Sequence, residues 1–187
     1  MLNLDSKVKG KEPQNTGDFE PIPKDRYPFK VKEVKPWKAK TQNINVIVKD
    51  ENGYAKKDDK GNVIRELKKD VTYYNADIVL EVRDGEYKGR LVFGNITTHP
   101  NAEFITENFV YAIGLDEVEL GKLPNLAQGK TLDADISINE DAYKYEENKV
   151  TGQKDKVISP KNEIDKFYRT ELEVEETEDT EDSVEGL

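Results

Sequence analysis

A mostly-β domain, closed into a small barrel, is the fold class predicted for this chain, and three observations carry it. Short apolar runs alternate with polar residues at a period of two through much of residues 27–138. Turn signals such as Asp84-Gly85 separate these runs. A single stretch with helical spacing interrupts them, between Pro100 and Gly114. Both termini lack any core-forming pattern and are expected to be disordered.

The first strand reads at Tyr27, Phe29 and Val31, alternating with Pro28, Lys30 and Lys32. The apolar register then slips by one position, to Val34. That slip predicts a bulge or sharp bend, as where one strand serves two sides of a small barrel. A second strand reads at Ile44, Val46 and Val48. Residues 50–73 are charged and carry turn signals at Asn52-Gly53 and Lys60-Gly61-Asn62, which predicts a long hairpin or mobile loop. A third strand runs through Ile78, Leu80 and Val82, and Asp84-Gly85 turns the chain into Leu91 and Phe93.

Pro100 and Asn101 open the helix, Phe104, Ile105, Phe109, Val110, Ala112 and Ile113 supply its apolar contacts, and Gly114 closes it. Two further strands are expected, at Leu132-Ala134-Ile136-Ile138 and, more weakly, around Tyr143 to Ile158. Three strands, a helix and two strands is the order of a five-stranded OB barrel. The Asp84-Gly85 hairpin adds one strand before the helix, so the expectation is an OB-fold-like barrel of about five to six strands with one helix. The expected division is an arm at 1–17, a barrel domain at 18–169 and an acidic tail at 170–187.

Charge has to be read by segment. The net charge is −10, yet residues 171–187 hold nine acids and no Lys or Arg. The rest of the chain therefore carries 30 acids against all 29 bases and is close to neutral. An overall pI near 4.8 is thus no argument against binding a polyanion. The start, Met1-Leu2-Asn3-Leu4-Asp5-Ser6, lacks the apolar run of a signal peptide, so a cytoplasmic location is expected, the host cytoplasm if the protein is viral.

Several chemistries are excluded by residue type. There is no cysteine, hence no disulfide, thiol nucleophile or thiolate metal site. His99 is the only histidine, so no histidine triad or multi-histidine metal centre can form, and it reads as a residue leading into the helix. No phosphate-cradling G-x-x-x-x-G-K-[ST] loop is present. Asp133 and Asp135 share one face of a strand and could hold Mg²⁺, but a solvent-facing row opposite Leu132, Ala134 and Ile136 accounts for them more simply. The chain is read as a non-enzyme with no catalytic residue, cofactor or metal.

The residues that do carry chemistry lie in two groups. Arg26, Lys30, Lys32, Lys35, Lys38 and Lys40 surround Tyr27, Phe29 and Trp37, with Glu33 the one acid among them. Cations that follow phosphates, mixed with aromatic faces that stack on bases, are what a sequence-tolerant single-strand binder needs. Arg83, Tyr87, Lys88 and Arg90 form a second group around the Asp84-Gly85 turn. If the first and third strands are neighbours, both groups could line one groove. Phe29 is expected in the core by alternation, whereas Trp37, beside a proline and between lysines, is expected to be exposed.

Lys35-Pro-Trp-Lys-Ala-Lys-Thr41, the hairpin Leu80-Glu-Val-Arg-Asp-Gly-Glu-Tyr-Lys-Gly-Arg-Leu-Val-Phe93 and the later Leu123-Pro-Asn-Leu-Ala-Gln-Gly-Lys-Thr-Leu132 resemble a family of bacteriophage single-stranded DNA-binding proteins with an OB fold. The likeness covers roughly residues 18 to 160, and its most specific element is Asp-Gly-x-Tyr-x-Gly-Arg at 84–90. The resemblance implies that the protein coats unwound DNA during replication or recombination and delivers it to a polymerase, helicase or recombinase. An acidic tail fits that family. The chain also resembles bacterial single-strand-binding proteins in its acidic tail, but ends Ser183-Val184-Glu185-Gly186-Leu187, without the apolar tip with proline and phenylalanine common in those tails. An RNA-binding OB protein, and an interaction module or acidic inhibitor of a host nucleic-acid enzyme, stand as the alternatives.

Overall fold

The computed structural model describes residues 20–148 and 152–170. The arm expected at 1–17 and the acidic residues 171–187 lie outside them. The described residues form eight strands and two helices: β1 (Asp25–Val34), β2 (Lys38–Ile47), β3 (Arg65–Val82), β4 (Leu91–Thr97), α1 (Phe104–Ala112), α2 (Leu123–Ala127), β5 (Thr131–Asn139), β6 (Tyr143–Glu147), β7 (Lys154–Ile158) and β8 (Lys161–Tyr168).

The expected surplus strand before the helix disappears once pairing is considered. β1 pairs antiparallel with the end of β3, Phe29 opposite Val82, and β2 pairs with its beginning, Ile47 opposite Arg65. β1 and β2 are therefore one barrel strand broken at Lys35-Pro36-Trp37, where proline cannot donate to a ladder. The sheet then runs β4-β3-β1-β5-β8, every neighbour antiparallel. It follows that β4 and β8 run in the same direction where the curled sheet brings its two ends together. With α1 between the third and fourth barrel strands, this is an OB-like five-stranded barrel.

The bulge expected in β1 lies between Val31 and Glu33, where the pairing register with β3 shifts. The first half of β1 pairs β5 and the second half pairs β3, so the extra residue bends the strand where it passes from one side of the barrel to the other. Phe29, Val31, Ile78, Leu80, Val92, Ile96, Leu132 and Ile136 point inward and form the centre of the core, with Phe29 fully buried.

The seam between β4 and β8 is closed by side chains. Gly94 points inward there, and a Cβ on it would meet Ile164 Cδ1 at 2.5 Å. A missing side chain on β4 thus makes room for a large one on β8.

Helix α1 closes one end of the barrel. Thr106, Phe109, Ala112 and Ile113 are buried, and Phe109 packs edge-to-face on Phe167 of β8. The helix ends as expected at Gly114, whose φ of +78° suits glycine, with Gly114 N–H donating to Tyr111 and Leu115 N–H to Val110. Its start differs from expectation. Pro100 and Asn101 form a turn and helical residues begin at Phe104, which is exposed rather than a core contact. Asn101 is used elsewhere: its side chain donates to Asn45 O and accepts from Ile47 N–H, holding the free edge of β2. His99 packs edge-to-face on Tyr73 and accepts the Asn101 N–H.

Two hairpins project from the barrel. The first is the β2–β3 arm, so of the two alternatives for residues 50–73 the long hairpin is the one found, and from Arg65 they belong to an 18-residue strand. Its tip folds as a small meander, with bridges Lys49–Ala55 and Lys57–Val63 around turns at Gly53 and Gly61. The second is β6–β7, between β5 and β8. The weak strand expected across Tyr143 to Ile158 is this hairpin, and the fifth barrel strand is β8, which sequence alternation did not single out. Among the described residues no helix is long and apolar enough to cross a membrane.

Candidate nucleic-acid interface

The outer face of the barrel follows from strand alternation. With Val92, Gly94 and Ile96 pointing inward, Leu91, Phe93 and Asn95 must point outward. Across the ladder Phe93 stands opposite Val79, Leu91 opposite Glu81 and Asn95 opposite Asp77. Continuing onto β1, Glu33 faces Val79 and Lys30 faces Glu81. The result is an apolar spine of Leu91, Phe93 and Val79 running through a polar surface.

Phe93 is the feature that requires explanation. It is 64% exposed at the middle of a barrel strand, where a phenylalanine in water forfeits the burial that would stabilise it by about 1.5–3 kcal/mol. Three depressions of about 580, 530 and 690 Å³ share it as a wall. The first follows the β4–β8 seam down to Phe104, the second reaches Lys32, Lys35 and α2, and the third lies between Lys88, Arg90 and Lys161. Acids stand among these cations. Asp77 is paired with Lys38 at 3.2 Å and Glu81 with Lys32 at 2.8 Å, and those hydrogen bonds hold both carboxyls below the ordinary carboxylate range.

The residues singled out from the sequence are divided by this geometry. β1 and β3 are neighbours, and the two basic groups do meet: the rings of Tyr27 and Tyr87 lie edge-to-face at 5.9 Å. Lys30, Lys32, Lys35, Lys88 and Arg90 surround the Leu91–Phe93 spine. The Arg90 guanidinium is anchored on Glu20 O. Lys38 and Lys40 stand at the base of the β2–β3 arm.

Arg26 and Arg83 lie instead on the β1–β5–β8 side, around a separate depression with Asp133, Tyr168 and Arg169. There Arg26 donates to Asp135 at 2.7 Å and covers the Tyr168 ring at 3.6 Å. The Tyr168 hydroxyl also donates to Asp135, at 2.6 Å. These two hydrogen bonds depress the Asp135 carboxyl.

Tyr27 and Trp37 are both partly covered, which for Trp37 corrects the expected exposure. Tyr27 is half-buried against Phe29, and its hydroxyl donates to Pro23 O. Trp37 is half-buried against the core, and its indole N–H donates to Leu120 O at 2.7 Å. It is not the free stacking ring expected from its lysine-rich surroundings: the kink that breaks β1 from β2 turns it under the chain between α1 and α2. The exposed rings beside the Leu91–Phe93 spine are Phe93, read from sequence as a strand residue, and Phe104, read as an apolar contact of the helix. A sequence signal beside Phe93 was Gly94, since a glycine inside a strand often marks the close approach of another segment, here Ile164 of β8.

Comparison with protein-family models, with curated proteins and with solved structures finds no match to this chain.

Proposed function

We propose that this protein binds single-stranded DNA, independent of sequence, across the outer face of β3 and β4. Phe93 supports this reading most directly: a solvent-exposed ring in the middle of a barrel strand, with Leu91 beside it and Lys30, Lys32, Lys35, Lys88 and Lys161 around it. In OB barrels the face of the second and third strands, flanked by the loops that β2–β3 and β6–β7 extend here, takes oligonucleotides. A ring offers its π-face to any base while cations follow the backbone, so affinity does not depend on sequence. The biological role is protection of unwound DNA during phage replication or recombination, in the host cytoplasm. The acidic residues 171–187 serve as a docking segment for a polymerase, helicase or recombinase. No catalytic step, cofactor or metal enters this reading.

The test is fluorescence anisotropy with labelled oligo-dT, duplex DNA and RNA over a range of salt. Oligo-dT binding should weaken linearly in log salt, and Phe93→Ala should cost about 1–3 kcal/mol. Replacing Lys30, Lys35 and Lys88 by Ala should lower the salt slope by about 0.7 for each phosphate that is no longer neutralised. Preference for RNA would reassign the polymer. Absence of binding to all three would remove the proposal in favour of a protein-interaction module.

A further inference from the structure

The β6–β7 hairpin exposes a face for which its own fold has no use. Tyr143 pairs with Ile158, Tyr145 with Lys156 and Glu147 with Lys154. Alternation therefore puts Tyr143, Tyr145, Glu147, Lys154, Lys156 and Ile158 on one side of the ribbon. Tyr143 is 51%, Tyr145 63% and Ile158 59% exposed. The two tyrosine rings stand edge-to-face at 5.6 Å, and the Lys156 ammonium lies 3.9 Å from the Tyr143 centroid. The opposite side carries no exposed ring: Lys144 stands on Glu146 at 2.9 Å, Asn148 donates to Asp155, and Val157 is half-buried across from Lys144. A two-stranded ribbon with rings and cations on one side and paired charges on the other has the makings of a stacking surface.

Its position adds a second argument. β7 leads through Ser159 and Pro160 into β8, and Pro160, Lys161 and Asn162 line the depression that also holds Phe93, Lys88 and Arg90. The hairpin that carries the tyrosine face thus joins the barrel beside the proposed groove, at its β8 end.

We propose that Tyr143 and Tyr145 form a second base-stacking platform, which takes the single strand as it leaves the Phe93 groove, with Lys154 and Lys156 taking its phosphates. The inference rests on the proposed function and deepens it. The strand crosses Phe93 first and reaches the tyrosines only when it is long enough.

An oligo-dT ladder from about 6 to about 30 nucleotides brackets the roughly 4–16 nucleotides that one OB fold occupies. The test compares the full chain with Tyr143→Leu/Tyr145→Leu, which keeps apolar side chains but loses the rings, and with Tyr143→Phe/Tyr145→Phe, which keeps the rings. The leucine variant should match the parent on the shortest oligonucleotides. On the longest it should lose about 5- to 150-fold per base released, at an unchanged salt slope. The phenylalanine variant should follow the parent throughout. If Phe93→Ala weakens binding while the leucine variant matches the parent at every length, the platform is wrong and the proposed function stands. If the parent binds no oligo-dT at all, both fall together. If the leucine substitutions instead split a dimer in sedimentation without altering DNA affinity, the face is a contact between copies and the platform is overturned.

Discussion

Trp37→Ala should destabilise the fold while barely altering the optical response to DNA. The ring is half-buried against the core and its indole N–H is committed to Leu120 O at 2.7 Å. Truncating a fully buried tryptophan costs about 3–5 kcal/mol, so a half-buried one costs about 2 kcal/mol. Loss of the hydrogen bond adds about 1 kcal/mol. Together these amount to about 3 kcal/mol, or a fall in Tm of about 6–12 °C for a domain of this size. Trp37→Phe keeps most of the packing and loses the hydrogen bond, so it should lower Tm by about 3 °C. Trp37 is also the only tryptophan, and it lines none of the depressions that share Phe93. Emission of the parent should therefore start blue-shifted and change little as oligo-dT is added. Thermal melting of both variants and an emission titration of the parent decide the matter. A Trp37→Ala protein that melts within about a degree of the parent, together with strong quenching of the parent by oligo-dT, would refute the reasoning and return Trp37 to the binding surface.

Gly94→Val should lower Tm by several degrees, because its side chain must displace Ile164 and Ile78 from the seam, and overpacking costs about 1–3 kcal/mol; an unchanged melting curve would mean that the seam is loose. Asp135→Asn should flatten the acid limb of the stability profile. The folded-state carboxyl lies below its unfolded value, so its contribution is present above about pH 4 and is lost as pH falls through the folded pKa. Urea melts of the two proteins from pH 7 down to pH 3 measure this, and parallel curves would count against the Arg26–Asp135–Tyr168 network as a source of stability. Removing residues 171–187 takes away nine acids tethered to the barrel, so affinity for oligo-dT should rise, most at low salt where screening is weak. Equal affinity of the two forms at every salt concentration would exclude competition by the tail.

What local sequence determined is what depends on near neighbours. Tyr27, Phe29 and Val31 with the slip to Val34 specified both a strand and its bulge, because side-chain parity in a strand is a property of consecutive residues. Gly114 specified the end of α1, since only the left-handed conformation closes that helix. The strand–helix–strand order sufficed for an OB-like barrel of about five to six strands, and five is the number found once β1 and β2 are joined.

Pairing between distant segments was decided by tertiary structure alone. Nothing local says that β1 and β2 share one edge of β3, which is what removes the surplus strand. β8 escaped notice because Lys161–Tyr168 carries only Ile164 and Phe167 toward the core, too few for a period to show. The site divided along the same line. The cations were legible by type, but whether an aromatic stacks, packs or stands free depends on what lies across from it. Trp37 met Leu120 from 83 residues away and was tucked in. Phe93, in a run apolar at 91, 92 and 93, faces outward because Val92, Gly94 and Ile96 take the inner positions, Gly94 against Ile164 of β8. Composition selects the chemistry a surface can offer, and the packing of segments remote in sequence selects which side chains are left to offer it.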